Sequence, residues 1–178
     1  GGSYGRVAAM IATSTMIMFG LMYLNTWAMD HVFFSQTRMW MALYMGGAMA
    51  LIMLAFMLGM YRNPRANLIV AGLSILAFAL GLFLVRSQAT VDDTAWMKAM
   101  IPHHSIAILT SERAKISDPR VRKFADDIIS AQRREIDEID DAIHDLLMRR
   151  AQVVELVGIA KRPDNQVVRP GREAVILR

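Results

Sequence analysis

Cysteine is absent from the 178 residues. Disulfides and thiolate metal centres are therefore excluded, and any soft-metal chemistry falls to methionine and imidazole. Acid is almost missing from the first half: Asp30 is the single carboxylate before residue 86, against four cations, Arg6, Arg38, Arg62 and Arg65. The remainder carries the other sixteen basic and fifteen acidic side chains. The formal net charge of +4 thus conceals a nearly balanced tail, which argues against nucleic acid as a partner. Proline is scarce, with five residues, and only Pro102 falls inside an otherwise helical stretch. A nucleophile with a positioned base is missing too. Ser105 and Ser111 have no third partner in sequence, so the expectation is a protein that is not an enzyme.

What fills the first half is hydrocarbon. The chain is 54% hydrophobic with a mean hydropathy of +0.32, too apolar for an ordinary soluble domain. Residues 7–29, 39–60 and 66–85 are uncharged runs edged by Arg6 and Asp30, by Arg38 and Arg62, and by Arg65 and Arg86. Each is long enough to cross a hydrocarbon layer of about 30 Å as a helix. Tyr23, Trp27, Trp40, Tyr44 and Tyr61 lie near the ends, where amphipathic rings settle at the interface. The expected domain is a three-helix transmembrane unit over residues 1–89, in a lipid bilayer. Arg62 and Arg65 cluster in the short second loop, which favours a multi-pass inner-membrane protein with a cytoplasmic N-terminus and a periplasmic or extracellular tail.

In the second run Met41, Met45, Met49, Met53 and Met57 recur every four residues beside a stripe of Ala42, Gly46 and Ala50. Small residues admit a neighbouring helix and methionines fill gaps; a thioether series for a soft ion is the competing reading. Met29, Asp30 and His31 sit at the outer mouth of the first run, as a helix end or, through Met29 and His31, as a membrane-face site for an ion. Asn25 is expected to bond a neighbouring helix.

Beyond residue 90, Asp92, Asp93 and Thr94 supply a helix start, and the helix is expected to reach about Ile116, with a kink or restart near Pro102. Ser117, Asp118 and Pro119 form a turn and restart. A second helix follows to about Arg149, with an apolar stripe of Val121, Phe124, Ala125, Ile128, Ile129, Gln132, Ile136, Ile139, Ile143 and Leu147. Asp126, Asp127, Arg133, Arg134, Glu138 and Asp141 read as a solvated face. Two such helices give an all-α antiparallel hairpin over 90–150. Alone it buries too little, so completion of a bundle in a homo-oligomer is expected. Residues 151–178 form a partly irregular extension: 153–159 as helix or short strand, 161–171 as loop, 175–177 as edge strand or disordered.

Trp96, Met100, His103-His104 and Ala107-Ile108, followed by Ile128-Ile129, Gln132 and Glu135-Ile136, resemble the DUF305 family over residues 92–147. The shared blocks are M-x-x-H-H-x-x-A-I and I-I-x-x-Q-x-x-E-I. The resemblance implies a ferritin-like helical bundle, exported or membrane-anchored, in a family whose members mostly have no assigned activity and some of which resemble periplasmic copper-binding proteins. It carries metal ligation over to Met100, His103 and His104. Met97 lies one turn before Met100, and Gln132 and Glu135 stand on the facing helix as partners for an imidazole. Copper, with zinc as runner-up, is the implied cofactor. Thr110 and Ile139 stand where the family commonly has further methionines. A di-iron centre is excluded, since neither histidine follows a glutamate at the i+3 spacing. The expected function is a membrane-anchored metal-binding protein at the outer surface, or else a non-catalytic accessory subunit whose hairpin mediates assembly.

Overall fold

The computed structural model describes residues 2–160. Among them the chain is all helical: α1 (Gly2–Leu21), α2 (Gln36–Met57), α3 (Pro64–Ser87), α4 (Asp93–Arg113) and α5 (Pro119–Ala160), with a 3-10 turn at Met29–His31. The chain divides into two compact units, residues 1–139 and 140–178.

Local chemistry sets most helix starts. The Ser35 side chain accepts from Arg38 N at the head of α2. Asn63 accepts from Arg65 N and Ala66 N at 3.1 and 3.2 Å, with Pro64 at the first position of α3, where a missing N–H costs nothing. Asp92 accepts from Ala95 N at 2.7 Å to open α4. Asp118 accepts from Arg120 N at 2.8 Å just before Pro119 opens α5. α3 stops at Gln88, which takes the left-handed conformation with φ 53° and returns its N–H to Leu84 O.

Three helices are long and apolar enough to cross a membrane: Tyr4–Leu21, Gln36–Met57 and Pro64–Ser87. Ile52, Phe56, Leu68, Leu73 and Phe83 project outward from them, which suits hydrocarbon rather than water as the surrounding solvent. The small stripe of α2 is its packing face: Ala42, Gly46, Gly47 and Ala50 are buried. A Cβ on Gly47 would stand 2.7 Å from Ser74 O and 2.8 Å from Phe78 N, so α3 approaches backbone to backbone. A Cβ on Gly46 would meet the Thr15 side chain of α1. The flanking methionines of α2 are half-buried.

Several boundaries differ from the expectation. The first apolar run was expected as helix over 7–29, but α1 ends at Leu21. There the chain tightens into turns, Tyr23 N bonding Gly20 O and Leu24 N bonding Leu21 O. Thr26 Oγ1 caps Tyr23 O, and Trp27 N donates to Ser105 Oγ of α4. A tertiary acceptor for Trp27 N has displaced the helical one. Asn25 lies exposed in these turns. α4 ends at Arg113 rather than near Ile116 and runs through Pro102 without a break. α5 passes the expected end near Arg149, so of the two forms weighed for 153–159 helix is the one adopted. Along α5, Ala125, Ile136 and Ile143 are buried, whereas Val121, Phe124 and Leu147 of the expected stripe are exposed. The loop and edge strand expected over 161–177 lie outside the described residues.

Candidate functional site

Three clusters gather in the unit formed by residues 1–139. The first joins the loop after α1 to α4. Ser105 Oγ is fully buried, accepts from Trp27 N at 2.7 Å and lies 2.9 Å from His31 Nδ1. One proton is shared between Ser105 Oγ and His31 Nδ1, and His31 Nε2 is 4.0 Å from Asp30 Oδ1. The Trp27 indole stacks on the His31 ring, with centroids 6.0 Å apart, and donates through Nε1 to Glu112. Arg133 of α5 completes the group, 5.0 Å above the Trp27 ring and 3.5 Å from Glu112. Serine, histidine and aspartate meet here, yet a serine with 0% exposure offers no approach to a substrate. The arrangement is a clip holding the 22–31 loop on α4, and it uses His31 structurally. Met29, the other half of that expected membrane-face site, is 85% exposed.

The second cluster lies between α4 and the first half of α5. His104 Nδ1 is 3.3 Å from Glu135 Oε2, but no hydrogen bond is aligned and the nitrogen is buried without a partner. Burial pushes the His104 pKa below its ordinary value; Glu135 opposes this and the neighbouring His103 adds to it. The imidazole is therefore neutral at pH 7. Gln132 Nε2 turns to Glu135 Oε2 at 3.4 Å rather than to an imidazole.

The third cluster is a half-open cavity of about 510 Å3 over the ends of α1, α2 and α3. Met100 and His103 line it from α4, facing Met22, Met41 and Arg38. The candidate ligands are therefore divided. Met100 and His103 look into a cavity that holds a guanidinium, and His104 looks towards Glu135; the His103 and His104 rings are tilted 60° with centroids 5.8 Å apart. Met97 is half-buried on α4 and does not line the cavity. Among the described residues no three histidine, aspartate or glutamate side chains converge closely enough to hold an ion. This corrects the metal-binding and copper expectations: consecutive imidazoles point apart on a helix, and the cation in the cavity repels a second one.

With these clusters placed, the described residues define an all-helical protein with three helices long and apolar enough to cross a membrane. Residues 132–178, about a quarter of the chain, match the chorismate mutase type II family. A viral protein, an uncharacterised protein of Acanthamoeba polyphaga mimivirus, is 39% identical over 64 residues, covering 35% of this chain and 42% of its own length. The chain thus spans less than half of that relative. No solved structure matches.

The match overturns the DUF305 resemblance and the non-catalytic, metal-handling or accessory function drawn from it. The second DUF305 block, residues 128–136, runs into the first residues of the match. Apolar residues spaced by three and four among mixed charges occur in any amphipathic helix, so that block did not discriminate between families. The expectation that the chain is not an enzyme falls with it, because the matching family is an enzyme family.

The residues that sequence reasoning missed are those joined across long intervals. Ser105 stood out only for lacking a partner, and Arg38 only as the edge of a run. Arg133 was assigned to a solvated face, whereas it caps the Trp27 ring.

Proposed function

We propose that the chain is a membrane-inserted protein whose C-terminal segment serves a chorismate mutase-type rearrangement. The match over residues 132–178 carries this reading. A mutase shifts a group within one molecule, so it needs no nucleophile and no redox centre. Its catalysis rests on holding the substrate in a reactive conformation and on donors placed at developing negative charge. Chorismate is an anion, and the later part of the matched segment is suited to one: residues 149–178 hold seven basic side chains against three acids, while residues 132–148 hold two against six. Arg149 and Arg150 are exposed on α5 and available as planar two-pronged donors.

The test is chorismate consumption by the full chain in detergent, followed by the loss of its ultraviolet absorbance. Turnover above the uncatalysed rate is expected, with kcat/KM of Arg149→Ala/Arg150→Ala lower by roughly tenfold to a hundredfold, as for lost charge-assisted hydrogen bonds. A wild-type rate equal to that in buffer would remove the reading.

Two further parts of the proposal concern placement. The short α2–α3 loop with Arg62 and Arg65 supports a cytoplasmic side for that loop, which puts α4 across the inner membrane from it. Val153, Val154, Leu156 and Val157 are exposed on α5. Their uncovered apolar surface supports a homo-oligomer in which a second copy completes a bundle with α4 and α5 as a hairpin.

A further inference from the structure

We infer that the cavity of about 510 Å3 between the helix ends and α4 is a binding site for a small amphiphilic anion, a phosphate or carboxylate attached to an apolar body. The observation that carries this is the state of Arg38. Its guanidinium is half-buried in the cavity wall, and among the described residues it has no carboxylate partner. Its Nη1 donates to Met22 O, and the Tyr23 ring covers it at 4.7 Å. Neither contact neutralises the charge. Four of its five N–H groups have no protein acceptor among the described residues. A desolvated cation without a counter-charge is costly, and an anion bound beside it removes that cost.

The surrounding wall has the complementary chemistry. No lining residue is acidic. Asn25 and Gln88 add amide groups and His103 an imidazole, and Met22, Met100 and Trp96 supply apolar surface. Anionic oxygens would take the Arg38 and amide donors while the apolar body lies on the methionines and the indole. The same wall disfavours a metal cation, which would share a small space with a permanent positive charge. The cavity opens among the ends of all three membrane-spanning candidates, so the anion can come from a lipid headgroup or from solution.

The experiment measures binding to the full chain in nonionic detergent by calorimetry. Two probes are used: dihexanoyl-phosphatidylglycerol for the lipid source and benzoate for the soluble one. Arg38→Gln removes the charge. Met100→Trp fills the cavity and leaves Arg38 in place, so it keeps the test decisive if the first variant misfolds by circular dichroism. Binding of either probe, weakened at least about tenfold in both folded variants, is the expected result. Binding of the lipid alone identifies the bilayer as the source, and of benzoate alone the aqueous phase. No binding of either probe, or binding that Met100→Trp leaves unchanged, overturns the inference.

Discussion

Ser105 and His104 lie one residue apart and carry opposite consequences. Ser105 is fully buried with both hydroxyl functions engaged, so Ser105→Ala strands Trp27 N–H and one His31 nitrogen inside α4's contact with the loop. The expected cost is about 1–3 kcal/mol, read as a lower Tm of the detergent-solubilised protein. An unchanged Tm would show that water replaces the serine. His104 is the reverse case, a buried nitrogen with nothing aligned to it. Its folded-state pKa lies below the ordinary 6.5, first through burial. The unfolded chain therefore binds the proton more readily. The contribution of His104 to stability is full above about pH 6.5 and declines as pH falls through the unfolded value towards the folded one. The wild type should lose stability between pH 7 and pH 5 relative to His104→Gln, measured as the difference between their Tm values across that range. Parallel profiles would mean that the imidazole stays solvated. Neither role was legible in the sequence: a partner 78 residues away for Ser105 leaves no local trace, and His103 and His104 look alike until one of them is buried.

At the scale of the helices, much was written in the chain. Asp92 and Asp118-Pro119 sit at the starts of α4 and α5 as expected, because a short acceptor does the same work in any context; Asn63-Pro64, not singled out from the sequence, does it at the start of α3. The small stripe of Ala42, Gly46 and Ala50 is on the buried side of α2. What periodicity could not supply was the partner, since burial against α1 and α3 depends on how three helices share one face. The end of α1 was hidden for the same reason: residues 22–29 are apolar enough to continue a helix, and only the docking of Trp27 on α4 stops it. The contact at Gly47 gives a sharp test. Its neighbours are backbone atoms of Ser74 and Phe78 and cannot rotate away, so Gly47→Leu must separate α2 from α3, at a cost of about 1–3 kcal/mol. Gly72→Leu on α3 meets nothing within 4 Å and should leave stability unchanged or slightly raised by its helix propensity. Chemical or thermal unfolding of the two variants side by side separates a tight helix contact from a general intolerance of leucine in these helices.

For the whole molecule, the odd number of candidate spans is the most consequential feature. Three crossings place the α2–α3 loop and the α4–α5 turn on opposite faces of the membrane, and so do two crossings by α2 and α3 with α1 lying in the interface; the two arrangements differ in the face that holds the N-terminus. α1 is the weakest of the three, with mean hydropathy 1.2 against 1.8 and 2.8, so a pair formed by α2 and α3 alone is the alternative worth separating. That pair returns the chain to its starting side, putting Ser35 and the α4–α5 turn together and the N-terminus free to join them. The natural lack of cysteine makes the measurement clean. Gly5→Cys, Gly59→Cys and Ser117→Cys are each placed at an exposed position, and sealed vesicles are treated with a membrane-impermeant maleimide. With three crossings, position 117 labels from one side and positions 5 and 59 from the other. Labelling of 5 and 117 together, with 59 opposite, would instead mean that α1 does not cross. The outcome also bears on the proposed rearrangement, because the segment matching the chorismate mutase type II family follows the turn at 117 in the chain. On the proposed function, the substrate is needed on the face where the matched segment lies.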